Sequence, residues 1–458
     1  MRNFSQRRLL WSSTFGSVGF CVNAVPGVNS TLMELQAVKG TKDILPDQQF
    51  NWERLLLDVG TVFRRAGVGK ISIPIFEHSE IFFRSAGESS DLVVQKEMYT
   101  FEDRGSRSLT LRPEFTGGVL RAFHEHGMAS LPSPVKLWSH GPVFRGEQVQ
   151  RGRQRQFHQV NYEVLGIEDP LVDAEAISLA YDCLRACGLT GLTVSLGSVG
   201  DPEDREKYNA YLRKSLTPFR EQLSKASRNR LDLNPLRIWD SKIEEDQQII
   251  KQFEPPLEGL SDKSKRHHLD VTKYLTDWCI PFTIDPTIVR GLDYYRKTAF
   301  EIRHHGIGAQ NTILGGGRYD GLLANLGGAD TAGIGWAFGV ERVLDALKGK
   351  DSHTPPVEKP DLYLVPLDDL AVSEVANTAR SLRESFTVLH AYRVRKPAKG
   401  LREASRIHSP LVGLRGEAER GQGTYTVKDL ESGEQVNIVE SELKEYLISC
   451  AAGKNEES

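Results

Sequence analysis

Apolar positions along the chain follow two periods. Trp52, Leu55, Leu56, Val59, Val62 and Phe63 recur at helical spacing, which predicts an amphipathic helix over 48–66. Ile71 to Ile75 reads as a strand, and Met98–Phe101 and Leu109–Leu111 read as short strands about a turn at Gly105. Val135–Phe144 and Phe157–Leu165 predict an antiparallel hairpin. On its second strand Val160, Tyr162 and Val164 form one face, while Phe157, Gln159, Asn161 and Glu163 share the other. Residues 171–188 return to helical spacing, and Leu192–Leu196 is again a strand. Ile334, Trp336 and Phe338 alternate with Gly333, Gly335, Ala337 and Gly339, so this strand has one bulky and one nearly bare face. A bare face lets a flat ligand lie against the sheet. From Val340 the period is helical. Residues 199–278 are highly charged and helical in outline, the mark of an insertion. Beyond a Pro-containing linker at 351–360, residues 362–414 alternate β-α-β-α-β, which predicts a small domain with a mixed sheet.

Composition narrows the class. A chain of 458 residues has room for two or three domains. With 39% hydrophobic and 26% charged residues, a disordered body is excluded. The net charge of −3 confines any nucleic-acid surface to a local patch. Five cysteines include no Cys-x-x-Cys pair, which argues against structural zinc and a disulfide framework and fits a reducing compartment. No apolar run reaches the roughly 18 residues of a membrane helix. The amino terminus differs from the rest: Arg2, Arg7 and Arg8 occur with many serines and no acid before Glu34. This is the pattern of a mitochondrial or plastid transit peptide. A secretory signal fits less well, because Ser, Thr and Gly break the segment Trp11–Phe20. Met33 opens the body of the chain and is a candidate start for a cytosolic form.

Four stretches carry candidate chemistry. Arg290 to Glu301 packs a fixed cation, a glycine, an acid and Tyr294-Tyr295 together. Adjacent strand residues face opposite ways, so both tyrosines serve one site only if the backbone bends. Thr110, Arg112, Glu114 and Thr116 fall on alternate positions and, if extended, share one polar face. The hairpin connection holds Arg145, Glu147, Arg151, Arg153 and Arg155, and guanidinium groups suit phosphate. Arg342 lies in the first turn of a helix, where a cation opposes the dipole and needs a role such as pairing a phosphate. Other features are weaker. The Gly315–Gly317 run permits close approach of a ligand, or is a plain turn. His267-His268 have no third metal ligand in view and read as surface residues. Residues 391–428 hold nine Lys or Arg against three Glu, compatible with an RNA surface or a solvated face.

Together these segments resemble the histidyl-tRNA synthetase family of class II aminoacyl-tRNA synthetases, over residues 34–450. Lys39-Gly-Thr-Lys-Asp-Ile-Leu-Pro is similar to the family's amino-terminal signature. Phe144-Arg145-Gly-Glu147 through Glu163 resembles class motif 2, and Gly339-Val-Glu341-Arg342 resembles motif 3. Arg290-Gly-Leu-Asp-Tyr-Tyr and Gly315-Gly-Gly-Arg-Tyr-Asp-Gly-Leu resemble the two histidine-specific motifs. The resemblance implies an α+β fold: an antiparallel sheet with flanking helices, a helical insertion, and a C-terminal α/β anticodon-binding domain. The implied division is a transit or disordered segment at 1–32, a catalytic domain at 33–350 with its insertion at 199–278, the linker, and an anticodon-binding domain at 361–450. It implies ATP-dependent ligation of L-histidine to tRNA(His) through a histidyl-adenylate, with Mg2+ bridging the phosphates and neither DNA nor a membrane as partner. Glu114, Thr116, Gln159, Glu163, Tyr294, Tyr295 and Tyr319 would surround histidine. Arg145, Glu147, Arg153, Phe157 and Arg342 would hold ATP, and Arg290 would sit at the α-phosphate as the catalytic residue. Gln150 and Arg155 would reach the tRNA acceptor end. A homodimer is implied, with 92–121 where the family builds its interface. The alternative is a non-catalytic histidine sensor, the synthetase-like regulatory subunit of ATP phosphoribosyltransferase.

Overall fold

In the computed structural model, residues 35–86, 97–150, 152–289, 294–304, 311–348 and 359–456 are described. Up to residue 340 the strands are β1 (Gly69–Lys70), β2 (Phe76–His78), β3 (Thr100–Glu102), β4 (Ser108–Leu111), β5 (Val135–Phe144), β6 (Gln156–Leu165), β7 (Leu192–Ser198), β8 (Phe282–Ile284), β9 (Arg296–His304), β10 (Thr312–Arg318) and β11 (Gly333–Gly339). Eight of them form one sheet in the order β1-β5-β6-β11-β10-β9-β7-β8. Every pairing from β5 through β7 is antiparallel, and only the two edges are parallel.

Helices cover one face of this sheet. Helix α1 (Pro46–Arg65) buries Leu55, Val59 and Phe63. Phe63 stacks on Trp138, Tyr162 and Trp336, with ring centres 5.0, 5.5 and 5.8 Å away. Fully burying one such side chain stabilises by about 1.5–3 kcal/mol. Helix α2 (Pro170–Ala186) begins at Asp169, whose side chain accepts from Leu171 N, with Pro170 at its first position. It buries Ala174, Ile177, Ala180 and Leu184, and the Ala176 carbonyl accepts the Trp336 indole N–H at 2.9 Å. These contacts leave the opposite face of the sheet for chemistry.

Two segments depart from the sequence pattern. The apolar run Ile71–Ile75 is not a strand, because β1 ends at Lys70 and β2 begins at Phe76. Arg112 Nη1 donates to the carbonyls of Ile73 and Pro74 at 2.9 and 3.2 Å, so a guanidinium takes the place of a neighbouring strand. Thr110 to Thr116 is not one extended face either. β4 ends at Leu111, and Thr116 opens helix α3 (Thr116–Glu125).

Between β7 and β8 the chain is helical, including α4 (Pro202–Leu216) and α5 (Asp262–Asp277). Its charged surface encloses Tyr208, Leu212, Leu216, Leu231, Ile238 and Trp239. The carboxylate of Asp246 accepts from the hydroxyls of Ser224, Ser227 and Ser241 at 2.6–2.7 Å, which ties its turns together.

The carboxyl-terminal part is a second sheet. β12 (Leu362–Pro366), β13 (Val388–His390), β14 (Leu411–Arg415), β15 (Thr424–Asp429) and β16 (Gln435–Val439) run in the order β13-β12-β14-β15-β16. The first three are parallel and the last two antiparallel. The mixed sheet matches the sequence reading, which did not reach β15 and β16. Among the described residues no helix is long and apolar enough to cross a membrane.

Candidate active site

Glu163 stands near the carboxyl end of β6, opposite Gly335 on β11, and Gln159 stands opposite Gly339. A Cβ on Gly335 would lie 1.7 Å from Glu163 Oε2, and one on Gly333 would lie 2.3 Å from the Tyr319 ring. The bare face of β11 is therefore overhung by a carboxylate and a phenol. At these two positions it is not a floor for a flat ligand.

Glu163 is buried, and three donors converge on it. Thr116 Oγ1 donates to Oε1 at 2.6 Å, Asn161 Nδ2 donates to the same oxygen at 2.9 Å, and the Tyr319 hydroxyl donates to Oε2. Burial nonetheless pushes the carboxyl up to about 7, against the lowering effect of those bonds. Nearby Glu114 adds to the rise. Glu114 itself accepts from Thr116 N and Gly117 N at 2.8 and 2.9 Å, the orphan amides at the start of α3. Gln159 Oε1 is buried with no hydrogen-bond partner among the described residues. An orphaned acceptor on the same strand face as an acid is suited to a ligand carrying N–H groups.

The tyrosines close this pocket. Tyr294 meets Tyr319 edge-on, with ring centres 5.9 Å apart, and lies 4.6 Å from Tyr295. Burial holds the hydroxyls of Tyr294 and Tyr319 well above the usual phenol range, so both stay neutral donors. The two adjacent tyrosines do not alternate across a strand, because β9 begins only at Arg296. Its pairing with β10 slips at the start: Ala299 faces Gly317 but Arg296 faces Arg318. At the slip Lys297 has φ +49°, the left-handed region. A cleft of 350 Å³ borders Tyr294 and is lined by Arg205, Asn209, Arg296, Asp320 and Asn325 among others.

A second cluster is cationic. Arg145 Nε donates to the Pro113 carbonyl at 3.0 Å, and its guanidinium lies 5.3 Å from the Phe157 ring centre. Glu147 lies 3.2 Å from Arg153 and 3.9 Å from Arg145. Arg342 Nη1 donates to the Thr312 carbonyl at 2.9 Å. Burial and the neighbouring charge of Arg153 lower the Arg342 pKa, while Glu301 and Glu147 oppose the shift. Cations gathered against their own repulsion suit an anion. Among the described residues no group of three or more His, Cys, Asp or Glu is placed to hold a metal.

The structure thus brings Glu114, Thr116, Glu163, Tyr294 and Tyr319 together, with Tyr295 adjoining and Gln159 further along the same face of β6, and sets Arg145, Glu147, Arg153, Phe157 and Arg342 in a second group. Gln150 is exposed on the hairpin tip. Arg155 instead packs on the amino-terminal loop, its backbone N–H donating to the Gly40 carbonyl at 2.7 Å. Arg290 and Arg151 lie outside the described residues.

Some working residues were not singled out by sequence. Asn161 was placed on the right face but given no partner. Glu341 accepts the His158 backbone N–H at 2.9 and 3.0 Å and approaches its Nδ1 at 3.0 Å, which anchors β6 between Phe157 and Gln159. Its place in Gly-Val-Glu-Arg was the available signal. The surface reading of His267-His268 is wrong. His267 Nε2 lies 2.8 Å from the buried Asp173 carboxylate, and His268 is buried, its pKa lowered to about 4 by desolvation.

A mainly antiparallel sheet bearing a buried acid pocket beside an arginine-rich hairpin defines a class II aminoacyl-tRNA synthetase. A family model described as histidyl-tRNA synthetase matches residues 40–343, and one described as anticodon binding domain matches 361–449. The histidine–tRNA ligase of Thermus thermophilus is 48% identical over 420 residues, 91% of this chain and 100% of that one. Those of Deinococcus radiodurans and Thermosynechococcus vestitus are 45% and 44% identical, over 91% and 90% of this chain and 100% and 96% of theirs. The crystal structure of apo S. aureus histidyl-tRNA synthetase superposes with a TM-score of 0.73 at 33% identity, covering 90% of this chain and 99% of that one. A Bacillus halodurans structure titled as an ATP phosphoribosyltransferase regulatory subunit/histidyl-tRNA synthetase shares the fold, with a TM-score of 0.59 at 19% identity over 84% of this chain and 98% of that one. The chain belongs to the histidyl-tRNA synthetase family, and the sequence reading of it as a histidine–tRNA ligase stands.

Proposed function

We propose that this chain joins L-histidine to tRNA(His) through an enzyme-bound histidyl-adenylate, with histidine held around Glu163. The observation that carries the assignment is the buried carboxylate with three donors, on the strand face that also carries the unpartnered Gln159 oxygen. Histidine offers an ammonium and two ring nitrogens, which suit Glu163, Gln159, Glu114 and the phenols of Tyr294, Tyr295 and Tyr319. Arg145, Arg153 and Arg342 take the phosphates of ATP, with Phe157 beneath the adenine. Arg290 is assigned to the α-phosphate on the family resemblance alone.

In this reading the histidine carboxylate attacks the α-phosphorus and pyrophosphate leaves. The adenylate then acylates the terminal ribose of the tRNA. No enzyme nucleophile takes part, so the residues act by positioning and by neutralising charge. Magnesium supplies further neutralisation at the phosphates when bound. Glu147 and Glu301, the acids facing Arg342, fit a metal that takes one or two carboxylates and completes its shell with phosphate and water. Gln150 and Arg155 are the candidates for the acceptor end.

The domain division at 33–350, 351–360 and 361–450 belongs to the same proposal, with the basic segment 391–428 reading the anticodon. A homodimer is supported by exposed Ile75, Phe76, Phe83, Tyr99 and Phe101 around the small sheet of β2, β3 and β4. The amino-terminal segment is proposed as a transit peptide for mitochondrion or chloroplast, which sequencing the mature protein from fractionated organelles would test. The sensor alternative finds less support, because the anticodon-binding match and the Arg290-Gly-Leu-Asp-Tyr-Tyr segment are both present. The deciding assay is histidine-dependent ATP–pyrophosphate exchange followed by charging of tRNA(His). Absence of exchange in active-site-titrated protein overturns the enzyme assignment, and exchange without charging discards its tRNA half.

A further inference from the structure

Lys297 is buried, at 4% exposure, and carries a side chain in the left-handed backbone region that such residues rarely adopt. Its backbone is held on both sides by the entrance to the helical insertion: Lys297 N donates to the Gly200 carbonyl at 2.8 Å, and Val199 N donates to the Lys297 carbonyl at 2.9 Å. Its ammonium contacts Glu168, and lies 3.7 Å from Asp201 and 3.6 Å from Asp320. Desolvation disfavours the charge, but these three acids outweigh it and keep the amine protonated.

Each acid belongs to a different part of the site. Asp320 follows Tyr319, accepts Gly333 N at 3.0 Å and takes Arg318 Nη1 at 2.8 Å. Asp201 caps α4 of the insertion. Glu168 precedes α2. Just before Lys297 in the chain stand Tyr294 and Tyr295, side by side instead of alternating. A bulge changes which way the residues on its two sides face, and this one spans Lys297 and Thr298.

We infer that Lys297 is a positioning residue for histidine recognition: it joins the segment carrying Tyr294 and Tyr295 to the segment carrying Tyr319 and to the first turn of the insertion. The inference rests on histidine lying against Glu163 and these tyrosines. Its absence removes the one cation among the described residues that contacts all three acids, leaving Asp320 to Arg318 and Asp201 to Lys263, and frees the bulge, so the phenols lose their mutual placement while the arginine cluster is untouched.

Steady-state ATP–pyrophosphate exchange on the full chain tests this. Lys297→Met should raise the KM for histidine by about tenfold or more and leave the KM for ATP within about twofold. Lys297→Arg, which keeps the charge, should return the histidine KM to within about threefold of the parent. A role confined to scaffolding lowers the active fraction and moves neither KM. An unchanged histidine KM in Lys297→Met, or an Arg variant no better than the Met variant, overturns the inference. If Lys297→Met is insoluble, Asp320→Asn keeps the volume and should raise the histidine KM in the same way; no change there overturns it equally. Tyr319→Phe and Glu163→Gln run alongside. If both leave the histidine KM unchanged, the placement of histidine fails and this inference with it; if they raise it and Lys297→Met does not, only the role of Lys297 fails.

Discussion

Thr116 Oγ1 donates to Glu163 Oε1 across 2.6 Å, joining the first turn of one helix to the centre of the main sheet. The bond steadies a carboxylate that burial would otherwise push further towards neutrality. Removing a hydrogen bond to a charged group costs about 1.5–3 kcal/mol. Thr116→Val should therefore raise the histidine KM roughly tenfold or more, while Thr116→Ser stays near the parent. Equal histidine KM values for the Val and Ser variants would remove Thr116 from recognition.

Glu163 also predicts a pH dependence. The carboxyl ionises at about 7 when folded, against an ordinary value of 4.5. Between those limits the folded chain binds more protons than the unfolded one, so the stability this group contributes at low pH is lost as pH rises through about 7. Binding follows the opposite course, because the ionised form is the one that holds an ammonium. Histidine KM, corrected for titration of free histidine, should fall as pH rises from 6 to 8 (about tenfold at most for one proton), and Glu163→Gln should flatten the profile. A parent profile already flat over that range would place the acid elsewhere.

The arginine cluster separates the two substrates. Arg342→Ala should cut kcat/KM for ATP by about 10²–10³, the usual effect of losing a preorganised charge contact. Arg342→Lys should recover little, because an ammonium lacks the planar fork. Histidine binding measured without ATP should not change. Calorimetric titration with histidine, set beside the exchange kinetics, gives both numbers, and a variant that loses histidine affinity instead would contradict the division of the site.

Arg318 offers a test of stability. It is fully buried against Asp173, which His267 and Thr298 also contact. Removing one partner of such a pair costs about 3–5 kcal/mol, mostly for the charge left behind. Arg318→Met should lower the thermal midpoint of the catalytic part, and adding Asp173→Asn should restore some of it. Purely additive losses would show that the pair is not coupled.

The motif 2 hairpin was legible because both strands are apolar runs about an arginine-rich turn, and β6 keeps Val160, Tyr162 and Val164 on one face. The bare face of β11 was legible for the same reason, although not its occupants. What escaped depends on polar contacts that periodicity does not encode. Ile71–Ile75 has strand composition, but Arg112, some 40 residues on, takes its carbonyls. Thr116 reads as the next residue of an alternating row until Glu114 accepts the amides that open α3. His267 looks like a surface residue until α5 packs it against Asp173. In each case one polar side chain satisfies a buried group, close in sequence for Glu114 and distant for Arg112 and His267, and periodicity carries no trace of it.

Gly333 and Gly335 give the site a cost of substitution unlike that of its other members. Any side chain at 335 would enter the space of the Glu163 carboxylate, and any at 333 that of the Tyr319 ring. Neither glycine carries a side chain, yet adding one at either would displace the phenol or the acid proposed to hold histidine. The proposed recognition surface is thus fixed partly by two empty volumes. An inventory of polar groups around histidine would overlook the two positions where the smallest possible mutation, one added methyl, is the least tolerable.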